Sequence, residues 1–365
     1  GGGRGEAAVR TGPGWRRCFT EATSPRLLAE HVPDLVGYRR FRATLAALLD
    51  APSDEAALVD ARDARAAADP AAYLRLLLDD ARVEALVVDT GFAGADAPGL
   101  AELAALAGRP AYEVVRVETV AERLLRDGVP AARFADALEE RLDAALAGGA
   151  VGLKTVAAYR CGLALPEPTP AAARAALSGL DRRARLSDPV VVALGVRRAV
   201  AVAARHGRPL QVHTGFGDPD LDLTRADPAL LTPLLRDRRA EDCPVVLLHC
   251  YPYVRSAAVL AAVHPQAYVD LSLAIPLAAP AAVDLVVEAL ALCPVSKLVA
   301  GSDGHSYPEM HWWGARVWRD ALARVGAGGR VTADPPLADP PLADLSAADV
   351  AAVLGGTARR LYRLA

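Results

Sequence analysis

The sequence predicts a (β/α)8 TIM barrel with an N-terminal helical insertion and a first strand that is missing or degenerate. Three observations carry this expectation. Seven short apolar runs rich in Val and Leu recur along the chain, helical stretches rich in Ala, Leu and Arg separate them, and the runs are continuous rather than alternating, as in strands buried on both faces. Strand-then-helix order repeated in this way implies a parallel sheet. A barrel of this kind accommodates 365 residues as one domain.

The elements follow in chain order. Residues 1–25 are rich in Gly and Arg and read as irregular. Residues 26–82 read as a helical insertion, with Leu45, Leu48 and Leu49 on one stripe and Pro70 suited to a first helical turn. The barrel core spans 83–330, with strands expected at Leu86–Asp89, Tyr112–Val117, Val151–Val156, Leu210–His213, Val245–His249, Ala267–Leu271 and Leu298–Ala300. Helices are expected over 130–147, 170–205, 225–240, 254–263, 280–292 and 309–325. Residues 331–345 repeat ADPPL and form a Pro-rich loop. Ser346 with Asp349 marks the start of a closing helix over 346–365. A closed barrel needs an eighth strand, which would lie at or before the N-terminus.

Composition narrows the function. Hydrophobic residues make up 53% and charged residues 23%, enough for a large core. The net charge is −3 with no basic block, which argues against nucleic acid and for a small-molecule partner, with homo-oligomerisation left open. No apolar run is long enough for a membrane span, and no signal peptide opens the chain. Five scattered cysteines form no CxxC pair, so a reducing, cytoplasmic setting is expected. Only Lys154 and Lys297 of the 41 basic residues are lysine. A lysine retained inside an apolar strand against that bias requires a reason.

In such barrels the chemistry sits at the C-terminal ends of strands. His213 closes the run from Pro209, His249 closes the run from Pro244, Asp303 follows Leu298–Ser302, and Lys154 lies within Val151–Val156. His206, His264 and Lys297 precede their strands and belong to the opposite, structural face. Imidazole and carboxylate at one mouth suit zinc, iron or manganese. Lys154 has two open roles: carbamylated, it is a metal ligand, and charged, it pairs with Asp303 or another acid at the mouth.

At these residues the chain resembles the amidohydrolase superfamily, specifically the amidohydrolase-2 group and the N-terminal amidohydrolase domain of FluG and nodulin-type proteins. The resemblance is carried by Gly152-Leu-Lys-Thr-Val-Ala-Ala-Tyr-Arg160, Val212-His-Thr-Gly-Phe-Gly-Asp218, Leu248-His-Cys-Tyr-Pro252, Gly301-Ser-Asp-Gly-His305 with Pro308-Glu309, and Leu354-Gly-Gly-Thr-Ala-Arg-Arg-Leu-Tyr362. It implies that Lys154, His213, His249 and Asp303 bind a divalent metal, zinc foremost, as one or two ions. It also implies that Asp303 moves the proton of a metal-activated water and that His249 binds metal or polarises the carbonyl. The group's His-x-His on strand one is absent, and Arg4-Gly5-Glu6 stands before the segment Ala8-Val-Arg-Thr11.

Substrate contacts are expected from Tyr159 and Arg160 after the Lys154 strand, from Asp218 after His213, and from His305 and Glu309 after Asp303. Arg160 is suited to clamp a carboxylate and Asp218 to bind an amine. Three functional expectations compete. The first is a metal-dependent hydrolase of a C–N, amide-type bond, with a γ-glutamyl-type substrate drawn from the glutamine-synthetase-like half fused to FluG-type domains. The second is a metal-dependent decarboxylase or other lyase on the same barrel. The third is a catalytically impaired binding homologue, because of the absent His-x-His. No GxSxG elbow supports a serine hydrolase.

Overall fold

The computed structural model describes residues 13–92, 97–326 and 345–365. Seven strands form one sheet in chain order: β1 (Leu86–Asp89), β2 (Ala111–Arg116), β3 (Gly152–Thr155), β4 (Leu210–His213), β5 (Val245–Leu248), β6 (Ala267–Asp270) and β7 (Leu298–Val299). All six neighbouring pairs are parallel. Each strand lies within a residue or so of its expected run. The expected first strand, at or before the N-terminus, lies outside the described residues.

Helices α1 (Val36–Leu49), α2 (Glu55–Ala68) and α3 (Pro70–Asp80) make the N-terminal insertion. Then come α4 (Leu100–Ala107), α5 (Val117–Arg126), α6 (Phe134–Ala147), the single turn α7 (Ala157–Arg160), α8 (Pro170–Gly179) and α9 (Pro189–His206). The short α10 (Thr232–Leu235), α11 (Val254–Val263), the short α12 (Ala274–Leu277), α13 (Ala282–Leu290) and α14 (Pro308–Gly326) follow, and α15 (Ala347–Ala351) and α16 (Thr357–Tyr362) close the chain.

Two expected helices differ. The stretch 170–205 is split in two, because Asp188 caps a fresh start at Pro189 just as Thr169 does at Pro170. The stretch 225–240 is a series of short turns. Asp222, Asp227 and Asp237 each cap a new turn with their own carboxylate, and Pro228 and Pro233 sit at turn starts, so no continuous ladder forms. Ser346 and Asp349 do form the expected capping box. The ADPPL repeats lie outside the described residues.

Side-chain alternation separates two cores. Leu153, Leu210, Val212, Val245, Leu247, Ala267, Val269 and Leu298 point outward into the helical layer. Val114, Val151, Val246, Leu248 and Val299 point the other way and share a distinct cluster with Val87, Tyr112 and Tyr268. Strands at opposite ends of the sheet order meet in that inner cluster, so the sheet curls into a half-barrel. Leu361 and Tyr362 of α16 complete it, and the Tyr362 hydroxyl accepts from Gln211 Nε2 at 2.7 Å.

The two sheet edges are tied together through helices. After β7, Trp312 Nε1 donates to Asp80 at 2.6 Å, Arg316 bonds the same carboxylate at 2.9 Å, and Arg319 Nε donates to the Ala81 carbonyl at 2.8 Å, just ahead of β1. The insertion packs there through a cluster of aromatic rings, with Phe41 in edge contact with Trp15, Trp312 and Trp313. Among the described residues, no helix is long and apolar enough to cross a membrane.

Candidate active site

The inner face of β4 carries Gln211 and then His213 two residues on, so His213 points into the half-barrel at its C-terminal mouth. On β5, Leu248 already faces inward, and a continued strand would turn His249 outward. Left-handed backbone at His249 (φ 69°) and Cys250 (φ 59°) breaks that alternation. The His249 ring then lies beside that of His213, with centroids 4.6 Å apart.

The loops after these strands interlock. Phe216 N donates to the Tyr251 carbonyl at 2.7 Å, and Gly215 has φ 73° with room for no side chain, since a Cβ would lie 2.3 Å from the Tyr251 oxygen. A Cβ on Gly217 would likewise strike the Tyr159 hydroxyl. These glycines admit neighbouring protein groups.

His249 Nδ1 lies 3.1 Å from the Ser272 carbonyl and 3.0 Å from its hydroxyl. The Ser272 amide in turn donates to Asp270 at 2.7 Å. Burial pushes the Asp270 carboxyl up to about 6 despite those Ser272 bonds. Burial also depresses both imidazoles. For His213 the charges of His249 and Lys154 add to it, and for His249 the Asp303 carboxylate opposes it while Lys154 reinforces it. Both rings are therefore neutral near pH 7, with lone pairs available. His213 Nε2 is buried and has no hydrogen-bond partner.

Lys154 faces the same interior. Its ammonium lies 3.3 Å from Asp89 Oδ2 at the end of β1, and Arg116 at the end of β2 bonds that same oxygen. Burial alone would raise the Asp89 carboxyl, but Lys154 and Arg116 outweigh it and hold it below its ordinary range. Of the acids at the mouth expected to pair with Lys154, Asp303 or another, the partner in the structure is Asp89.

The other expected contacts divide. Tyr159 packs on His213 with ring centroids 4.6 Å apart, and its hydroxyl accepts from the Asp218 amide at 3.3 Å. Burial, together with the Asp218 charge, pushes the Tyr159 phenol up. Asp303, with φ 51°, lies near enough to His249 and His311 for its charge to reach both. Burial and the His305 charge depress His311 to about 4. His305 Nδ1 meets the Ser306 hydroxyl at 3.0 Å. Arg160, by contrast, donates from Nη1 to Glu122 of α5 at 2.7 Å and to the Leu186 carbonyl at 3.1 Å, while its buried Nε has no hydrogen-bond partner. Glu309 is wholly buried and takes hydrogen bonds from Arg62 at 2.5 Å and Tyr73 at 2.8 Å, which commits it to the joint between the insertion and α14 rather than to the mouth.

Three residues at the mouth escaped the sequence reading. Asp89 ends an apolar run just as His213 does, and Arg116 ends the next; the strand-end rule applied to acids and arginines would have found both. Glu21 carries no periodic signal. Burial and the charges of Asp303 and Asp218 raise it to about 7, which places it among those carboxylates.

The donor chemistry of His213 and His249 fits a divalent metal: two neutral, buried imidazoles, one with an orphaned nitrogen, near one carboxylate. Among the described residues no group of three or more His, Cys, Asp or Glu side chains is clustered tightly enough to hold an ion.

Comparison with known proteins agrees with this architecture. The family model described as Amidohydrolase matches residues 28–364. Protein fluG of Emericella nidulans is 35% identical over 191 residues, which is 48% of this chain and 22% of that protein, so the match spans about a fifth of that relative. A protein described as a metal-dependent hydrolase from Lactobacillus casei superposes with TM-score 0.80 at 29% identity, covering 96% of this chain and 90% of that one. A uronate isomerase from Thermotoga maritima superposes with TM-score 0.58 at 13% identity over 95% of this chain and 81% of its own, a likeness of fold alone.

Proposed function

The chain belongs to the amidohydrolase family, and from that premise we propose that it is a metal-dependent hydrolase of a C–N, amide-type bond in a small molecule. One observation carries the reading: the buried Nε2 of His213 has no partner and lies beside a second neutral imidazole. An orphaned lone pair there is costly unless something occupies it.

His213 and His249, with the Asp303 carboxylate near His249, are the residues that would contribute to holding the ion, and their donor types suit zinc. A bound divalent metal supplies water activation near neutral pH and polarisation of the scissile carbonyl. Asp303 accepts the proton of the attacking water and returns it to the departing amine. Ser272 fixes the His249 tautomer, and Tyr159 and Asp218 border the space beside His213.

The γ-glutamyl-type substrate rests on the resemblance to FluG-type domains. Assaying γ-glutamyl amides for released ammonia or amine tests the reaction. Release of the amine, lost in Asp303→Asn, supports hydrolysis, and release of CO2 instead makes the protein a decarboxylase.

A further inference from the structure

We propose that His311 is a positioning residue for Asp303: seated against Ser302 and Gly304, it holds the turn from which the Asp303 carboxylate works. The role of Asp303 rests on the hydrolase reading, and its placement rests on the contacts alone.

Asp303 has left-handed backbone (φ 51°), a conformation that a residue with a side chain keeps only where its surroundings enforce it. One side of the turn is held by the loop after β6. There Leu273 N donates to the Ser302 carbonyl at 3.4 Å, next to the Ser272 that holds His249. The other side rests on α14, where His311, Gly314 and Trp318 share one helix face at i, i+3 and i+7 spacing. Trp318 Nε1 donates to the Gly301 carbonyl at 2.9 Å, and Gly314 lies so close to Ser302 that a Cβ there would stand 2.7 Å from the Ser302 Cβ. His311 meets the residues on both sides of Asp303. Its Nδ1 lies 3.4 Å from Ser302 Oγ, and a Cβ on Gly304 would stand 2.6 Å from the same nitrogen.

The polar link makes this imidazole more than a spacer. The Gly304 amide donates to Ser302 Oγ at 3.2 Å, so that hydroxyl keeps its own hydrogen for another acceptor. His311 Nδ1 is that acceptor, and the run from the Gly304 amide through Ser302 to His311 ties together the two flanks of Asp303. An apolar side chain of similar size would fill the space beside Gly304 and leave Ser302 unanchored. His311→Asn keeps a polar atom two bonds from Cβ, where Nδ1 stands.

His311→Leu, His311→Asn and Ser302→Ala, each in the full chain, test this. Backbone amide exchange, followed by NMR on the protein as purified, reads the turn itself. Gly304 should exchange about tenfold faster in His311→Leu than in wild type, with the later turns of α14 unchanged and His311→Asn close to wild type. With metal bound and a γ-glutamyl amide as substrate, His311→Leu should lower kcat by about tenfold to a hundredfold and leave KM nearly unchanged, the signature of a group displaced from its transition-state position. His311→Asn should restore most of that rate. Ser302→Ala added to His311→Leu should cost little more, because the two residues act as one unit. Ser302→Ala alone carries the same kinetic expectation and provides the test if His311→Leu does not fold. Unaltered Gly304 exchange in His311→Leu, faster exchange spread along α14, a His311→Asn variant as impaired as His311→Leu, or additive effects of His311 and Ser302 would each overturn the proposal. If wild type hydrolyses no amide, the hydrolase reading falls, and Gly304 exchange still decides whether His311 holds the turn.

Discussion

Ser272 holds His249 by two oxygens at once: the ring Nδ1 lies 3.1 Å from the Ser272 carbonyl and 3.0 Å from its hydroxyl. A carbonyl can only accept, so Nδ1 carries the proton and Nε2 is left with the lone pair. Partners of this kind orient a ligating histidine and raise its basicity. Ser272→Ala should weaken metal binding by about tenfold or more, read by competition with a chelator, with little change in overall fold.

The neutrality of the two histidines sets a pH window. Their folded-state pKa values lie below the ordinary 6.5. As pH falls through 6.5 the unfolded chain takes up protons that the folded chain refuses, so stability present above that pH is lost. Metal-free wild type should lose more stability between pH 7 and pH 5 than His213→Gln, measured by urea unfolding at each pH.

Glu21 acts in the opposite direction. Its carboxyl rises from 4.5 to about 7 through burial and the charges of Asp303 and Asp218. A raised carboxyl favours folding below its unfolded value, and that contribution is lost as pH climbs through the folded one. Glu21→Gln should therefore match wild type below pH 4.5 and exceed it above pH 7, by on the order of 2 kcal/mol after allowing for partial solvation. An equal difference at both pH values would place Glu21 away from the other carboxylates.

Arg62 and Glu309 are both wholly buried, joined at 2.5 Å, with Tyr73 on the same carboxylate. The pair links α2 and α3 to the start of α14, six residues beyond Asp303. Arg62→Met alone should cost about 3–5 kcal/mol by stranding a buried carboxylate. The double variant Arg62→Met/Glu309→Leu should recover most of it in thermal unfolding, because removing both charges leaves neither stranded.

Much of this fold was legible because buried parallel strands announce themselves as continuous apolar runs, and the residues ending those runs fall at one mouth. His213 and Lys154 needed no more than that. His249 needed more: strand alternation predicts it outward, and only the left-handed turn at 249–250 brings it in. Glu309 misled because position after a strand says nothing about whether a long side chain reaches the mouth or turns to a nearby opposite charge. Glu21 was invisible because its placement depends on how an irregular segment folds over the barrel, which no periodicity encodes.

The central claim is that His213 and His249 are metal donors. Elemental analysis of the full protein, purified and dialysed without chelator, tests it most directly. The account predicts about one divalent ion per chain, retained in wild type and absent from His213→Ala. An ion-free wild type, or an unchanged metal content in His213→Ala, would contradict it.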